Sequence, residues 1–253
     1  MKISPISSYA YSCPSFKSSS RKSPDSNPKI NGIGVYNSTW FFRDDINWNW
    51  LVSYMEHNFA DKSKVNVYNL ACSDGSEAYT LAICLNENMN SIKRNKFLPI
   101  NASDIDKVMI RYAKRGRINL YQADIQEIYD NTSKGDYFES PSFPVEIGGE
   151  QDIRSFSSYQ PNAYLRYAVN FEDADILTKL SELKDDGDSV ILCRNVTPYL
   201  TAEYLGKVAD ALNKKLKKGS LLVLGDFDRN SNIREMIKDN FEDVYENNIY
   251  RKI

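Results

Sequence analysis

The residues with the clearest chemical potential lie in the stretch ACSDGSEAYTLAI, residues 71–83. It has the form of a strand end, a tight turn and a helix start, the arrangement in which α/β proteins commonly hold a nucleotide. The turn has one glycine, Gly75, and two carboxylates, Asp74 and Glu77. A carboxylate in the first turn of a helix also stabilises that helix by about 0.3–1 kcal/mol. Glu77 therefore has a structural explanation beside a functional one.

The charge of this turn bears on which ligand it can bind. Dinucleotide-binding turns read G-x-G-x-x-G, because the pyrophosphate lies against bare backbone at a helix N-terminus. A carboxylate ~4 Å from a phosphate would cost on the order of 4 kcal/mol at an effective dielectric near 20. S-adenosylmethionine carries an ammonium and a sulfonium and no phosphate, so the carboxylates favour this cofactor. The missing glycines argue against a nicotinamide-dependent oxidoreductase.

Two further strand ends carry polar side chains. ASDID, residues 102–106, contains Asp104, which is well placed to accept hydrogen bonds from ribose hydroxyls. Its structural alternative is a helix cap, a role that Asp106 can also fill. CRNVTPY, residues 193–199, follows another short buried strand. In an open α/β sheet, ligands bind at the carboxyl ends of the strands near the switch point, so these loops are expected to meet.

The elements that must position these loops alternate along the chain. Strand-like and helix-like stretches follow one another from KVNVYNLA to SLLVLGD, and FEDVYENNIYRKI is typical of a terminal hairpin. Asp106 and Thr201 are predicted to begin helices, and Gly116 and Gly219 to end them. The pattern predicts an α/β fold with a mainly parallel sheet covered on both faces. Apolar residues predict the buried faces of two of these helices, Val108, Met109, Tyr112 and Ala113 in one and Leu205, Val208, Ala209, Leu212 and Leu216 in the other.

Two parts of the chain interrupt this alternation. Residues 1–35 are rich in Ser, Pro and Lys without an apolar period and predict a flexible leader. Residues from about 117 to 170 contain turn residues and short β-like runs, which predict a small inserted β lobe. The expected organisation is this leader followed by one domain over residues 36–253 that carries the lobe.

Composition limits the classes of function. The chain has 253 residues and a formal net charge of −2, so no broad attraction for nucleic acid or anionic membrane is expected. No apolar run approaches the ~18 residues of a membrane helix. The four cysteines lack C-x-x-C spacing, which argues against zinc and for a reducing compartment such as the cytoplasm. The single histidine, His57, is predicted to lie on a helix surface, which weakens hydrolase schemes that need a histidine base.

Four segments, in order, resemble a known family. NSTWFFRD (37–44), ACSDGSEAYTLAI (71–83), ASDID (102–106) and ILCRNVTPYL (191–200) match the order and approximate spacing of the CheR-type methyltransferases. These chemotaxis enzymes methylate receptor glutamates with S-adenosylmethionine and release S-adenosylhomocysteine. The resemblance covers residues 37–253 and implies a Rossmann-like class I methyltransferase sheet with the inserted β lobe.

The resemblance implies roles for individual residues. Asn37, Thr39 and Arg43 match the N-x-T-x-F-F-R segment that approaches the cofactor, and Glu77 and Asp104 match its acidic and ribose-binding positions. The remaining implied positions are Asp175 and Ile176 beside the adenine, and Arg194, Asn195 and Tyr199 after the strand at 191–193. We expect Arg43, Arg194 and Tyr199 to orient the methyl acceptor. The alternative for Arg43 is an ion pair with Asp44 or Asp45.

The sequence also departs from the family pattern. SDGSE replaces the usual STGEE, Asp175 replaces an asparagine, and GDFD (225–228) stands where Gly-His-Ser-Glu is usual. The helical domain that precedes the first segment in the chemotaxis enzymes is expected to be absent, which argues against a chemoreceptor substrate. These departures leave two alternatives, a non-catalytic binding module and a secreted effector that methylates a host protein. A carboxylate acceptor is already ionised at pH 7, so methyl transfer to it needs no general base.

Overall fold

A computed structural model of the chain describes residues 29–30, 33–34, 39–139, 156–183 and 187–253. Its strands are β1 (Lys29–Ile30), β2 (Ile33–Gly34), β3 (Asn66–Leu70), β4 (Ile100–Asp104), β5 (Ile118–Tyr121), β6 (Phe138–Glu139), β7 (Phe156–Pro161), β8 (Val169–Asp173), β9 (Ser189–Leu192), β10 (Leu221–Val223), β11 (Phe241–Tyr245) and β12 (Ile249–Lys252). Its α-helices are α1 (Trp48–Asn58), α2 (Ser76–Asn88), α3 (Ser91–Asn95), α4 (Lys107–Lys114), α5 (Gln122–Asp130), α6 (Ala163–Ala168), α7 (Ile176–Ser181), α8 (Ala202–Lys215) and α9 (Ile233–Ile237). Short 3₁₀ turns cover Thr197–Tyr199 and Asp226–Asn230.

The main sheet of the described residues has seven strands in the order β11-β12-β10-β9-β3-β4-β8. Strands β10, β9, β3, β4 and β8 pair in parallel, and β12 and β11 close the far edge as an antiparallel hairpin. The chain thus runs outward from β3 to β4 and β8, and then crosses over to β9 on the other side of β3. The predicted Rossmann-like α/β class is confirmed, including its antiparallel terminal hairpin.

Helices cover both faces of this sheet. Helices α1 and α2 pack on one face in a core that includes Val67 and Leu192, and α7, α8 and α9 pack on the other in a core that includes Ile191 and Leu222. The alternation of neighbouring residues between the two cores follows from the two-residue period of a strand. No helix in the described part of the chain is long and apolar enough to cross a bilayer.

Local signals marked three of the four predicted helix boundaries, whereas α8 ends at Lys215, before the predicted end at Gly219. Asp106 accepts hydrogen bonds from two backbone N–H groups of α4, and Thr201 accepts one from the first turn of α8. Gly116 adopts φ +60° just after α4. The predicted apolar stripe of α8 is buried, and His57 lies exposed on α1.

The predicted buried face of α4 is wrong in part. Ile110 and Ala113 are its buried residues, whereas Val108 and Tyr112 are 44% and 50% exposed. Ile110 packs in the core with the sheet residues, and residues three apart share one helix face. Contacts with the sheet therefore determine which face of α4 is buried, and that face is shifted from the one predicted by the apolar residues.

The described part of the predicted lobe holds a three-stranded antiparallel sheet in the order β5-β7-β6. Three features depart from the sequence prediction. Helices α5 and α6 were not predicted there, and β8 at the end of that range belongs to the main sheet. Strand β8 escaped notice because it is an edge strand with one buried residue, Val169, and therefore lacks an alternating apolar pattern. Strands β1 and β2 pair within the predicted leader, and the rest of that leader lies outside the described residues.

Candidate cofactor and acceptor site

The loops singled out in the sequence lie along one edge of the sheet. Strand β3 pairs in parallel with β4 on one side and with β9 on the other. The loops that follow these three strands therefore lie together at the carboxyl edge of the sheet. This is the topological switch point, because the strand order runs from β3 to β4 on one side and continues with β9 on the other. This is the position at which open α/β sheets bind ligands.

The turn after β3 has an unusual backbone. Ala71, Ser73 and Gly75 have φ angles of +58°, +51° and +91°, in the left-handed region. A side chain at Gly75 would place its Cβ 2.6 Å from the ring of Phe171, so both the φ angle and the space require glycine there. The Ser73 N–H donates to Oδ2 of Asp104 at 2.7 Å, which holds the turn against β4. Non-glycine residues in such conformations persist where their surroundings fix them, often at functional sites.

Asp104 is buried at the end of β4, and each of its oxygens accepts a backbone hydrogen bond. Oδ2 accepts from Ser73, and Oδ1 accepts from Asp106 at 2.8 Å. Burial raises the pKa of the Asp104 carboxyl, and the two backbone donors oppose that shift. A carboxylate has about four lone-pair sites, so Asp104 retains acceptor capacity for hydroxyl groups. Asp106 caps α4, the alternative role considered for Asp104.

A buried ion cluster connects the N-terminus of α2 to the loop after β9. The side chain of Arg194 is 0% exposed and donates to Oε2 of Glu77 at 2.7 Å. It also donates to Oδ1 of Asp45, and its guanidinium lies 4.7 Å from the ring centroid of Trp48. Oε1 of Glu77 accepts from Asn69 on β3 at 2.7 Å. Both oxygens of Glu77 thus have partners within the protein.

Burial and charge attraction have opposite effects on the ionisation of Glu77 and Arg194. Burial raises the pKa of Glu77 and lowers that of Arg194, since it penalises the charged form of each. Their direct contact at 2.7 Å favours both charged forms, so we assign the pair as ionised. Two buried atoms here have no hydrogen-bond partner, Nε of Arg194 and Oδ1 of Asn69.

Arg43 and Asp45 bring the segment before α1 into the same cluster. Nε of Arg43 lies 3.5 Å from Oδ2 of Asp45, and the guanidinium lies 4.3 Å from the ring centroid of Trp40. The Arg43 side chain is 20% exposed, and burial lowers its pKa. The ion pair with Asp45, considered as an alternative role, is present. Orientation of the acceptor by Arg43 stays a prediction.

Asp228 anchors the loop after β9 to the turn after β10. Its buried carboxylate accepts hydrogen bonds from the backbone N–H groups of Asn195, Val196, Thr197 and Gly225, at 2.7–3.1 Å, and from Oγ1 of Thr197 at 2.7 Å. This aspartate stands in GDFD, one of the departures from the family pattern. A carboxylate that accepts so many donors fixes both loops relative to each other.

Asn195 connects the same two loops to Asp45. It has φ +57°, donates from Nδ2 to Oδ2 of Asp45 at 2.8 Å, and accepts at Oδ1 from the N–H of Phe227 at 3.0 Å. A Cβ at Gly225 would lie 2.3 Å from the Asn195 side chain, so glycine is needed for this close approach. Asn195 therefore lies at the predicted edge with its side chain fixed.

The other predicted site residues lie in the 3₁₀ turn after β9, at the start of α7 and in the segment before α1. Tyr199 is half-buried in the 3₁₀ turn and faces the ring of Phe227 at 5.5 Å. Asp175 caps α7 and accepts from Tyr204 Oη at 3.1 Å, and Ile176 is buried beside it. Hydrogen bonds lower the pKa of Asp175 despite its partial burial. Thr39 is half-buried, and Asn37 lies outside the described residues.

Comparison with known proteins identifies the family. The family model described as "CheR methyltransferase, SAM binding domain" matches residues 37–245. The chain belongs to the CheR methyltransferase family. Chemotaxis protein methyltransferases from three bacteria are similar to it: that of Listeria innocua is 28% identical over 75% of this chain and 64% of its own length. Those of Borreliella burgdorferi and Vibrio cholerae are 26% and 27% identical over 75% of this chain and 63% of their own lengths.

The match confirms the resemblance seen in the four motifs, and S-adenosylmethionine as the cofactor of this domain. The chain spans just under two thirds of the length of these relatives. The chemistry of the site suits that cofactor, because Asp74, Glu77 and Asp104 line the first two loops while a G-x-G-x-x-G backbone for pyrophosphate is missing. Asp104 has two fixed oxygens and remaining lone pairs, and its contact with the ribose stays a prediction.

Sequence reasoning missed two residues that organise this edge. Asp45 contacts Arg43, Arg194 and Asn195, yet it was considered only as a surface partner of Arg43. Asn69 lies within a strand and showed no signal apart from being polar in an apolar run. A polar residue in a buried strand, followed eight positions later by a glutamate, was the one clue to the Asn69 and Glu77 contact.

Proposed function

We propose that this chain transfers a methyl group from S-adenosylmethionine to a carboxylate side chain of a protein, as a protein-glutamate O-methyltransferase. The observation that carries the proposal is the convergence of the family motifs at one sheet edge, within a family match over residues 37–245. Its relatives are chemotaxis protein methyltransferases, which supports a protein substrate.

In this proposal the residues divide between cofactor and acceptor. Asp104 accepts hydrogen bonds from the ribose, while Asp175 and Ile176 lie beside the adenine. Thr39, Asn37 and Asn195 complete the cofactor contacts. Bound S-adenosylmethionine supplies an electrophilic methyl group attached to a sulfonium. Arg43 and Tyr199 hold the acceptor in line with that methyl, and correct alignment supplies most of the rate enhancement because an ionised carboxylate needs no base.

Glu77 and Arg194 act together in this scheme. Their ion pair fixes the N-terminus of α2 relative to the loop after β9. Because the side chain of Arg194 is 0% exposed, we propose a positioning role for it, and the direct acceptor contact expected from the sequence stays a prediction. Arg194 would act through Asp45 and Glu77.

We further propose that the protein acts in the cytoplasm. The support comes from the cysteines: within the described residues, Cys72, Cys84 and Cys193 form no disulfide bond, as expected in a reducing compartment. The alternative of a secreted effector has no additional observation in its favour.

Calorimetric titration of the purified protein with S-adenosylmethionine and S-adenosylhomocysteine, with NADH as a control, tests the cofactor part of the proposal. We expect saturable micromolar binding of both adenosyl ligands and none of NADH. Asp104→Ala should lose this binding, whereas Asp210→Ala, at an exposed aspartate of α8, should keep it. Unchanged affinity in Asp104→Ala would refute the binding assignment.

The transfer step is tested with radiolabelled methyl groups and glutamate-containing proteins. A carboxyl methyl ester releases volatile methanol in base, which distinguishes it from methylated amines. We expect base-labile label that depends on intact Asp104. Cofactor binding without transfer to any protein would instead support the non-catalytic binding module.

A further inference from the structure

Phe227 is an aromatic side chain held in an exposed position beside the site. It lies in the Asp226–Asn230 turn that follows β10 and is 39% exposed. Its ring faces that of Tyr199 at a centroid distance of 5.5 Å and an interplanar angle of 37°. The two rings form an apolar surface at the carboxyl edge of the sheet, which we call the aromatic wall.

Hydrogen bonds from three consecutive N–H groups fix the backbone that presents Phe227. The Phe227 N–H donates to Asn195 at 3.0 Å, and the preceding N–H, of Asp226, donates to Asp45 at 3.2 Å. The N–H of Gly225 donates to the buried carboxylate of Asp228 at 2.7 Å. An exposed phenylalanine forgoes the burial that usually stabilises this side chain. A side chain that is already held in place loses less conformational entropy when it binds a partner, which favours binding.

The aromatic wall lies on the opposite side of β3 from the residues predicted to bind the ribose and the adenine. Asp104 ends β4 and Asp175 follows β8, on one side of β3, whereas Phe227 follows β10, on the other side. Strands β10 and β4 have two strands between them, which corresponds to about 14 Å at ~4.8 Å per strand. The aromatic wall thus adjoins Asn195 but lies away from the predicted ribose and adenine positions, which suits contact with the acceptor.

A partly exposed cation lies beside the aromatic wall. Arg43 is 20% exposed, and its Nε lies 3.5 Å from Oδ2 of Asp45, the same oxygen that accepts at 3.2 Å from the N–H of the residue before Phe227. A ligand at this place would meet a positive charge next to two aromatic rings. The complementary partner has a carboxylate beside an apolar side chain.

We propose that Phe227 and Tyr199 bind an apolar side chain of the substrate protein that neighbours the methyl-accepting glutamate. Phe227 thereby determines specificity, and the substrate class is a glutamate flanked by a leucine-like or aromatic residue. This inference rests on the proposed function, since it assumes a carboxylate acceptor.

Methylation of a peptide set tests the inference. Each peptide has one glutamate in a Gly/Ser background, with Leu, Phe, Ser or Lys at one of the two positions on either side. Initial rates with labelled S-adenosylmethionine give kcat/KM for each peptide. The wild-type protein should favour Leu or Phe over Ser by on the order of tenfold at one position or more, the discrimination that an apolar contact of this size supplies.

Three variants complete the design. Phe227→Ala should reduce this preference to less than threefold through a higher KM, and Phe227→Leu should retain it. Met236→Ala removes a side chain of similar exposure, 38%, on α9 and should leave the preference unchanged. Calorimetry of each variant with S-adenosylmethionine shows that it is folded and binds cofactor.

The outcomes are distinguishable. Equal kcat/KM for all peptides, or an undiminished preference in Phe227→Ala, would overturn the role of the aromatic wall while leaving methyl transfer established. Loss of cofactor affinity in Phe227→Ala would show that Phe227 contacts the cofactor instead, which also overturns it. If no peptide is methylated by a protein that binds the cofactor, the proposed function fails and the inference fails with it.

Discussion

Replacing Asp228 by asparagine measures how strongly one buried carboxylate holds the acceptor side of the site. Oδ1 of Asp228 accepts three hydrogen bonds, and Oδ2 accepts two. Asparagine has nearly the same shape, but its amide nitrogen must occupy one of the two oxygen positions. There it faces N–H donors and can accept none of their hydrogen bonds.

The expected cost follows from that count. At least two hydrogen bonds to a charged acceptor are lost, each worth about 1.5–3 kcal/mol, so the free energy of unfolding should fall by about 3–6 kcal/mol. Typical domains unfold with about 5–15 kcal/mol, so Asp228→Asn is expected to remove a large part of the stability. Affinity for S-adenosylmethionine should also fall, since the loop that carries Arg194 and Asn195 loses its anchor.

Urea unfolding followed by circular dichroism measures this change, with calorimetry for cofactor affinity. Asp226→Asn is the matched control: the same substitution two residues earlier, at a side chain that is 54% exposed and pairs with Arg229 at the surface. Exposed pairs contribute about 0–1 kcal/mol, so the control should change stability by less than that. A loss below 1 kcal/mol in Asp228→Asn would refute the assignment of Asp228 as the anchor of both loops.

Three further predictions concern the other loops. Glu77→Gln leaves buried Arg194 short of one charged partner and should lower the free energy of unfolding by about 3 kcal/mol, the lower end for breaking a buried pair; a loss under 1 kcal/mol in urea unfolding would contradict the ionised pair. Burial raises the pKa of Asp104, and hydroxyl groups are bound by its ionised form, so cofactor affinity should decline as the pH falls, beginning above the ordinary carboxyl range. Calorimetry from pH 8 to pH 5 checks this, and a decline of the same size in Asp104→Asn would refute it. Gly75→Ala, at φ +91° against an aromatic ring, should destabilise by more than the ~1–2 kcal/mol of a left-handed residue, whereas Gly206→Ala, in open space on α8, should stabilise by about 0.5–1 kcal/mol; thermal unfolding compares the two, and equal effects would contradict the strain argument.

The parts of the fold that sequence predicted well are those determined by nearby residues. Thr201 caps α8 through a backbone N–H three residues away, and the hairpin of β11 and β12 closes within a few residues. The convergence of the strand-end loops was also predictable, because parallel strands end at one edge. The buried face of α4 was harder to predict from the sequence, because its short apolar cluster is compatible with two adjacent stripes on the helix.

Within the site, the types of residue were predicted better than their partners. The sequence places Arg43, Glu77 and Arg194 in motifs, but the contact of Arg194 with Asp45 spans 149 residues. No local pattern indicates which acid meets which base across such a distance. GDFD was recognised as a departure from the family, yet the anchoring role of Asp228 depends on the loop that lies opposite it in space.

The long-range hydrogen bonds of Asp45 also have a consequence for how the protein is made. Its backbone carbonyl accepts from Nδ2 of Asn248 at 2.7 Å, across 203 residues. A ribosome adds about 5–20 residues per second, so Asp45 waits about 10–40 s for this partner after its own synthesis. Until then the Asp45 carbonyl lacks this partner, although Arg43, Glu77 and Arg194 have already been synthesised. The hydrogen bonds of this edge are therefore complete only after the last hairpin has been synthesised, and a cofactor that binds the completed edge stabilises the finished fold.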